Sequence, residues 1–130
     1  MKHISTNTAP TPLGPYSQAT VHNGIVQIAM QVAVTPEGEH YTDHSLPEQL
    51  RQVLQNIKAI LEAAGSDLEN CMQVTLYTTD LSQGPDVNKV YKECFDFDLK
   101  PARTVIEVKG LPLGFKIAAD AVGAVKANSV

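Results

Sequence analysis

Arg103 is the side chain of this 130-residue sequence that is best suited to bind a small anion. It follows Pro101 and Ala102 and opens an apolar segment that contains Val105 and Ile106. A planar guanidinium donates two parallel hydrogen bonds, and this fork matches a carboxylate. An arginine at the start of a strand is more often a solvated surface group. The sequence therefore predicts a carboxylate site only if Arg103 is partly buried, for example at a subunit interface.

The other chemically active residue types form no site that spacing can identify. His40 and His44 are four residues apart in a stretch whose proline and glycine favour a loop, and no third metal ligand is evident. Cys71 and Cys94 lack CxxC spacing, so neither a disulfide framework nor a zinc site is expected. Ser17 has no histidine or aspartate that sequence can connect to it, so no catalytic triad is predicted.

Composition narrows the classes of function. The formal net charge is −4, from 10 basic and 14 acidic residues, and no two basic residues are adjacent. Nucleic-acid binding normally needs a basic stripe, so a nucleic-acid partner is not expected. No apolar run reaches the length of a membrane span, and the amino terminus lacks the apolar core of a signal peptide. With two thiols expected to stay reduced, we expect a cytoplasmic protein.

The elements that must position Arg103 can be predicted from turn residues and apolar spacing. The length fits one domain over residues 1–130. Three prolines and a glycine within residues 9–16 predict a stiff, extended loop that presents Tyr16 at a fixed place. Asn23-Gly24 between two apolar runs predicts a type I′ hairpin that joins strands at 19–21 and 25–34.

Two helices are predicted between the remaining strands. The first begins near Ser45, which forms a capping box with Glu48, and ends at Gly65. The second begins at Pro85, and strands are expected over about 72–78, 103–109 and 116–125. The order β-β-α-β-α-β-β predicts an α+β fold, a mixed sheet with two helices packed on one face. The other face offers apolar or small side chains without a partner in the chain, which indicates a homo-oligomer.

Two longer motifs resemble signatures of a known family, the RidA (YjgF) family. Residues 9–19 read Ala-Pro-Thr-Pro-Leu-Gly-Pro-Tyr-Ser-Gln-Ala and are similar to the amino-terminal signature of that family. Residues 101–104, followed by Leu-Pro at 111–112 and a final strand, look like its carboxy-terminal signature. The segment Asn-Lys-Val-Tyr at 88–91 also lies in a matching place, so the resemblance covers essentially the whole chain.

The resemblance implies a chorismate-mutase-like fold and a homotrimer with clefts between subunits. It also implies hydrolysis of enamines and imines of the 2-aminoacrylate type to 2-keto acids and ammonia, without a metal or organic cofactor. In the family, the arginine matching Arg103 clamps the carboxylate of this small metabolite, and the tyrosine matching Tyr16 lines the same cleft. The other positions expected to line it are Met30, Gln31, Asn88, Val105 and Ala118.

The last strand departs from the family pattern. Deaminases of the family carry a glutamate where this chain has Ala118. Asp120 points to the same face but lies two residues further on, about 7 Å away. Glu107 shares a face with Arg103 but lies about 13 Å from it. Neither carboxylate is an evident substitute, and losing a general acid or base typically costs about 10²–10⁴ in rate.

The hairpin strand departs as well, since Ala29-Met30-Gln31 stands where the family usually has Ser-Gly-Gln. If glycine serves to let the ligand approach the backbone, Met30 obstructs that approach. Alternatively, Met30 packs into the core and the cleft is reshaped. Val105 occupies the position at which family members often have a cysteine, so thiol chemistry in the cleft is not expected.

Three functions follow as alternatives. The first is a deaminase, a hydrolase that orients the substrate carboxylate with Arg103 and places one water. The second is a non-catalytic protein that binds or senses a small carboxylate, which the alanine at position 118 motivates. The third is a ribonuclease or translation inhibitor, a label also attached to the family. It is the least supported, because the chain is acidic and has no evident paired-histidine site.

Overall fold

The computed structural model describes residues 1–127, and the part of the predicted domain at 128–130 lies outside this range. The strands and α-helices of the described residues follow one another as β1 Lys2–Ile4, β2 Ala19–His22, β3 Ile25–Gln31, α1 Leu46–Ala63, β4 Cys71–Thr78, α2 Gly84–Cys94, β5 Ala102–Glu107 and β6 Ile117–Ala124. None of these helices has the length and hydropathy that crossing a membrane requires.

The strands form one mixed sheet in the order β1-β2-β3-β6-β4-β5. Only β4 and β5 pair in parallel, and each of the other neighbouring pairs is antiparallel. Because β6 lies antiparallel between β3 and β4, the two strands that α1 connects run in the same direction. The two strands that α2 connects, β4 and β5, also run in the same direction. The predicted α+β mixed sheet is confirmed. The sequence analysis missed β1, a strand of three residues in which only Ile4 is buried.

Helix α1 begins and ends where its capping residues predict. The side chain of Ser45 accepts a hydrogen bond from the backbone N–H of Glu48 at 3.3 Å and donates to the Glu48 carboxylate at 3.2 Å. Gly65 follows the helix with a φ of 82°, a conformation that favours glycine. An apolar stripe on α1 forms the centre of the core and is fully buried. It contains Leu50, Val53, Leu54, Ile57, Ile60 and Leu61.

Both helices pack on the same face of the sheet, which we call the helix side. A Cβ on Gly123 of β6 would lie only 2.6 Å from the Leu61 side chain, so α1 covers this face. Arg103 of β5 contacts α2 and is the register partner of the buried Val74, which shares a face with Ala121 and Gly123. The opposite surface carries no helix of the described chain. We call it the open face, and define it by Gln27, Tyr77, Thr104, Ile106, Ala118, Asp120 and Val122.

The predicted hairpin between β2 and β3 is confirmed, with φ values of 50° at Asn23 and 77° at Gly24, as a type I′ turn requires. Strand β3, however, ends at Gln31 instead of Val34, and its pairing with β6 contains a bulge before that end. Ile28 pairs with Ala121 and Gln31 pairs with Ala119, so two residues, 29 and 30, lie opposite the single Asp120.

The bulge reverses the predicted alternation at Met30. A regular alternation along β3 would place Met30 on one face with Val26 and Ile28, which are buried. The extra residue turns Met30 to the face of Asp120, where 38% of its surface is exposed, and moves Gln31 into the buried position. The alternative in which Met30 packs into the core is therefore wrong.

Candidate functional site

Arg103 lies on the edge strand β5, where α2 holds its guanidinium from two directions. One terminal nitrogen donates a hydrogen bond of 2.8 Å to the side-chain oxygen of Asn88. The guanidinium carbon lies 4.9 Å from the centre of the Tyr91 ring, a cation–π arrangement. These contacts orient a side chain that would otherwise sample many rotamers.

The charge of Arg103 has no counter-ion in the described residues. The ion pairs found there are Arg51 with Glu93 and Lys126 with Asp67. Arg103 is also exposed, so residues 1–127 of a single copy do not give it the partly buried setting that a carboxylate site requires. Its remaining N–H groups can donate two parallel hydrogen bonds to a carboxylate.

Tyr91 provides a rigid platform under Arg103. Its ring stacks on Phe95 with a centroid distance of 4.6 Å, and the residue is only 7% exposed. Burial raises the pKa of Tyr91 to about 12; the nearby Cys71 raises it further and Arg103 opposes the shift. Its hydroxyl has no hydrogen-bond partner among residues 1–127, so Tyr91 contacts Arg103 through its ring and not through its hydroxyl.

The proline-rich loop before β2 is fixed by a buried glutamine that the sequence analysis did not single out. The side-chain amide of Gln18 donates to the backbone carbonyls of Thr6 and Pro10, both at 3.0 Å. Its carbonyl oxygen accepts from the backbone N–H of Thr6 at 2.8 Å. This pattern depends on three-dimensional proximity, and a single glutamine beside a proline-rich stretch gives no signal of it.

Tyr16 lies at the end of this loop, as predicted, and folds back on it. Its hydroxyl accepts a hydrogen bond from the backbone N–H of Leu13 at 3.3 Å. A Cβ at Gly14 would lie 3.3 Å from the Tyr16 ring, so glycine allows the close approach. The exposed ring borders an open, mostly apolar groove with Leu13, Ala29, Met30, Val32 and Pro112. Met30 thus lies in this groove beside Tyr16.

Ala118 is fully buried and lies in neither the groove nor the contacts of Arg103. Its cross-strand partner on the open face is Tyr77. The Tyr77 hydroxyl donates a hydrogen bond of 2.7 Å to the carboxylate of Asp120. This bond is the main reason why the pKa of Tyr77 is raised, and partial burial and the negative charge of Asp120 add to the effect. The sequence analysis missed this pair, because the register of β4 against β6 is needed to find it.

The remaining carboxylate candidate, Glu107, has another role. Its side chain accepts a hydrogen bond from the backbone N–H of Leu81 at 3.0 Å and so fixes the turn that leads into α2.

The two histidines of the loop before α1 each pack against an aromatic ring. His44 stacks on Tyr41 with a centroid distance of 3.8 Å, and the His40 ring lies 5.8 Å from that of Phe115.

A single chain divides the predicted site residues between two places. Arg103 and Asn88, with Val105 on the same face of β5, lie at one edge of the sheet. Tyr16 and Met30 lie beside β3, and Gln31 is turned inward there. Strands β6 and β4 separate β3 from β5, which amounts to about 14 Å at ordinary strand spacing. Within residues 1–127 the two clusters are therefore separated by this width of sheet.

Fold and site together define the class of this protein. It is a small α+β sheet protein with an oriented arginine that lacks a counter-ion at a sheet edge, and with a separate apolar groove.

A family model described as endoribonuclease L-PSP matches residues 6–125. A RutC family protein from Aquifex aeolicus is 41% identical over 118 residues, which is 90% of this chain and 94% of that protein. The chain belongs to the RutC/RidA family, and the resemblance found in the sequence is confirmed.

Two further relatives carry more specific names. A 2-iminobutanoate/2-iminopropanoate deaminase from Mus musculus is 36% identical over 121 residues, covering 93% of this chain and 89% of that protein. The crystal structure of E. coli TdcF with bound serine is 34% identical with a TM-score of 0.90, covering 98% of this chain and all of that chain (100%).

Proposed function

We propose that this chain is an enamine/imine deaminase that converts 2-aminoacrylate-type enamines and their imine tautomers to 2-keto acids and ammonia. The observation that carries the proposal is the guanidinium of Arg103, which is oriented by Asn88 and Tyr91 and lacks a counter-ion among the described residues. Such a group suits a substrate whose carboxylate adjoins the reacting carbon. The deaminase name of the mouse relative supports the same reaction class.

Orientation is the main contribution that these residues make to the reaction. Imines hydrolyse in water without a catalyst, so holding the imine carbon in a fixed place beside one water gives useful acceleration. Arg103 binds the carboxylate through its free N–H groups, while the apolar groove beside Tyr16 and Met30 takes the side chain of the substrate. Water adds to the imine carbon, and ammonia leaves as the 2-keto acid forms.

The cleft requires more than one copy of the chain in this proposal. Arg103 and the Tyr16 groove are too far apart in one chain to bind a three- or four-carbon acid together. We propose a homotrimer in which Arg103 of one copy faces the groove of another. The exposed Val105 and Ile106 on the edge strand β5 supply apolar surface for such contacts.

The decisive comparison uses the two arginines of the chain. The imine is generated in the cuvette from serine by a dehydratase, and the rate of 2-keto acid formation is measured. We expect wild-type protein to accelerate the reaction and Arg103→Ala to lose about 100-fold in kcat/KM, because two charge-assisted hydrogen bonds disappear. Arg51→Ala is the matched control, since Arg51 pairs with Glu93 on the surface. Equal rates for the two variants would remove the proposed role of Arg103.

Mixed assemblies test whether the cleft is shared between copies. Arg103→Ala and Tyr16→Ala chains are co-expressed in equal amounts and purified together. If the two residues act from different copies, random assembly gives about a quarter of the sites both intact groups, and a corresponding activity returns. If they act within one chain, every site carries one defect and no activity returns.

The full burial of Ala118 favours a second candidate, a non-catalytic protein that binds a small carboxylate. A buried methyl group cannot hold water or move a proton, so binding at Arg103 need not be followed by hydrolysis. This candidate predicts that a 2-keto acid raises the melting temperature of wild-type protein and not of Arg103→Ala, without acceleration of imine hydrolysis. Acceleration by wild-type protein excludes it.

A further inference from the structure

The open face presents a carboxylate directly beside the apolar groove. Asp120 lies opposite the bulge in β3, and both bulge residues, Ala29 and Met30, turn to its face. The same two residues line the groove next to Tyr16. Asp120 is therefore the acidic side chain that the topology places nearest to that groove on this face.

Tyr77 fixes this carboxylate in one orientation. Its hydroxyl donates to Oδ2 of Asp120 at 2.7 Å, and both side chains are half-buried. The other oxygen, Oδ1, accepts no hydrogen bond from any part of the chain that the structure describes, and it remains available to a water molecule. A tyrosine hydroxyl is protonated at neutral pH, and the hydrogen bond to Asp120 raises the pKa of Tyr77 further, so the hydroxyl donates.

The surroundings of the pair are uncharged. The pair lies on β6 and β4, and β3 and β5 flank these two strands. The neighbouring positions on this face are Gln27, Ala29 and Met30 on β3, Ala118 and Val122 on β6, Gln73 and Thr75 on β4, and Thr104 and Ile106 on β5. None of these side chains carries a charge or titrates near neutral pH. Asp120 is thus the single anionic group of this patch within residues 1–127.

We infer that Asp120 is the proton-accepting group of the cleft and that Tyr77 is its positioning residue, in place of the carboxylate that position 118 lacks. The inference rests on the proposed deaminase function. Because Arg103 lies on the helix side of its own sheet, the arginine that binds the substrate beside this pair belongs to a second copy of the chain.

The chemistry balances with these groups and water. In the first step the oxygen of water bonds to the imine carbon, one water proton passes to Asp120, and the C=N electron pair moves to nitrogen. The nitrogen takes up that proton and Asp120 becomes a carboxylate again. In the second step the hydroxyl proton of the carbinolamine passes by way of Asp120 to nitrogen, the carbonyl forms, and the C–N bond breaks to release ammonia.

Isosteric variants test the pair in the imine assay described above. Asp120→Asn is expected to lower kcat by about 10²-fold or more, because an amide cannot accept the proton. Tyr77→Phe is expected to lower kcat by about tenfold with KM unchanged, since it removes one hydrogen bond to a charged group. Asp120→Glu is expected to restore part of the activity lost in Asp120→Asn. The matched controls are Asp43→Asn, an exposed loop carboxylate, and Tyr41→Phe, a tyrosine that stacks on His44 beside α1.

The outcomes separate this inference from the proposed function. If wild-type protein gives no acceleration, the deaminase proposal fails and the pair has no reaction to serve. If wild-type protein is active and both Asp120→Asn and Tyr77→Phe match their controls, the roles inferred for Asp120 and Tyr77 are refuted. The proposed deaminase activity is then unaffected. If Asp120→Asn does not fold, Tyr77→Phe provides the test. An unchanged kcat in Tyr77→Phe would then refute the inferred role of the pair.

Discussion

Replacing Asn88 by aspartate would test the carboxylate site without changing the shape of the protein. The Asn88 oxygen accepts a hydrogen bond from Arg103 at 2.8 Å, and an aspartate there would turn this contact into an ion pair. The new carboxylate would lie about 5 Å from a substrate carboxylate on the free side of the guanidinium, which at an effective dielectric constant of about 60 means a repulsion of about 1 kcal/mol. We expect KM to rise about fivefold at low salt with kcat little changed, because the substrate carboxylate is held equally in the ground state and in the transition state.

The assay measures KM for imine hydrolysis, or the dissociation constant of a 2-keto acid, at low salt and at 1 M salt. Screening at 1 M salt, where the Debye length is about 3 Å, should reduce the effect of Asn88→Asp to less than about twofold. Lys89→Gln is the matched control, since it changes the net charge by the same amount one residue along α2, where the side chain faces elsewhere. The reasoning is refuted if Asn88→Asp leaves binding unchanged, or if Lys89→Gln weakens it equally.

Three further predictions concern the scaffold. Tyr91→Phe removes a buried hydroxyl that has no partner in the described residues, and should raise the free energy of unfolding by about 1 kcal/mol in urea denaturation; a loss would show that the hydroxyl is satisfied. Gly123→Ala places a Cβ 2.6 Å from Leu61, and should lower the melting temperature through a loss of about 1–3 kcal/mol, whereas an unchanged value would mean that β6 and α1 are not in close contact. Burial raises the pKa of Cys71 from 9.0 to about 11, so its contribution to stability is complete below pH 9.0 and is lost as the pH rises through about 11. The urea midpoint should therefore change more between about pH 8 and about pH 10 in wild-type protein than in Cys71→Ala, because an unperturbed thiol titrates between these two values. Equal changes in the two proteins would contradict the assignment to Cys71.

Local signals predicted the elements of this fold well, because they depend on neighbours in the chain. Ser45 and Glu48 fixed the start of α1, Gly65 fixed its end, and Asn23-Gly24 specified the hairpin. The short strand β1 was missed because three residues with one buried side chain carry no measurable periodicity. Its pairing with β2 is a consequence of tertiary structure.

The site was harder to predict, because register decides it. The sequence left open whether Met30 obstructs the cleft or packs into the core, and a single bulge opposite Asp120 turns it into the groove. Arg103 was found from its residue type and motif, but the partners that orient it come from a separate helix. The contact between Tyr77 and Asp120 joins residues far apart in the chain, and no spacing in the sequence indicates it.

The rate constant for disappearance of the imine, measured as the concentration of purified protein is raised, tests the central claim most directly. A deaminase that uses Arg103 predicts a rate constant that increases linearly with wild-type protein and hardly changes with Arg103→Ala. A rate constant that stays at its value in buffer with folded wild-type protein, at every protein concentration, would contradict the claim.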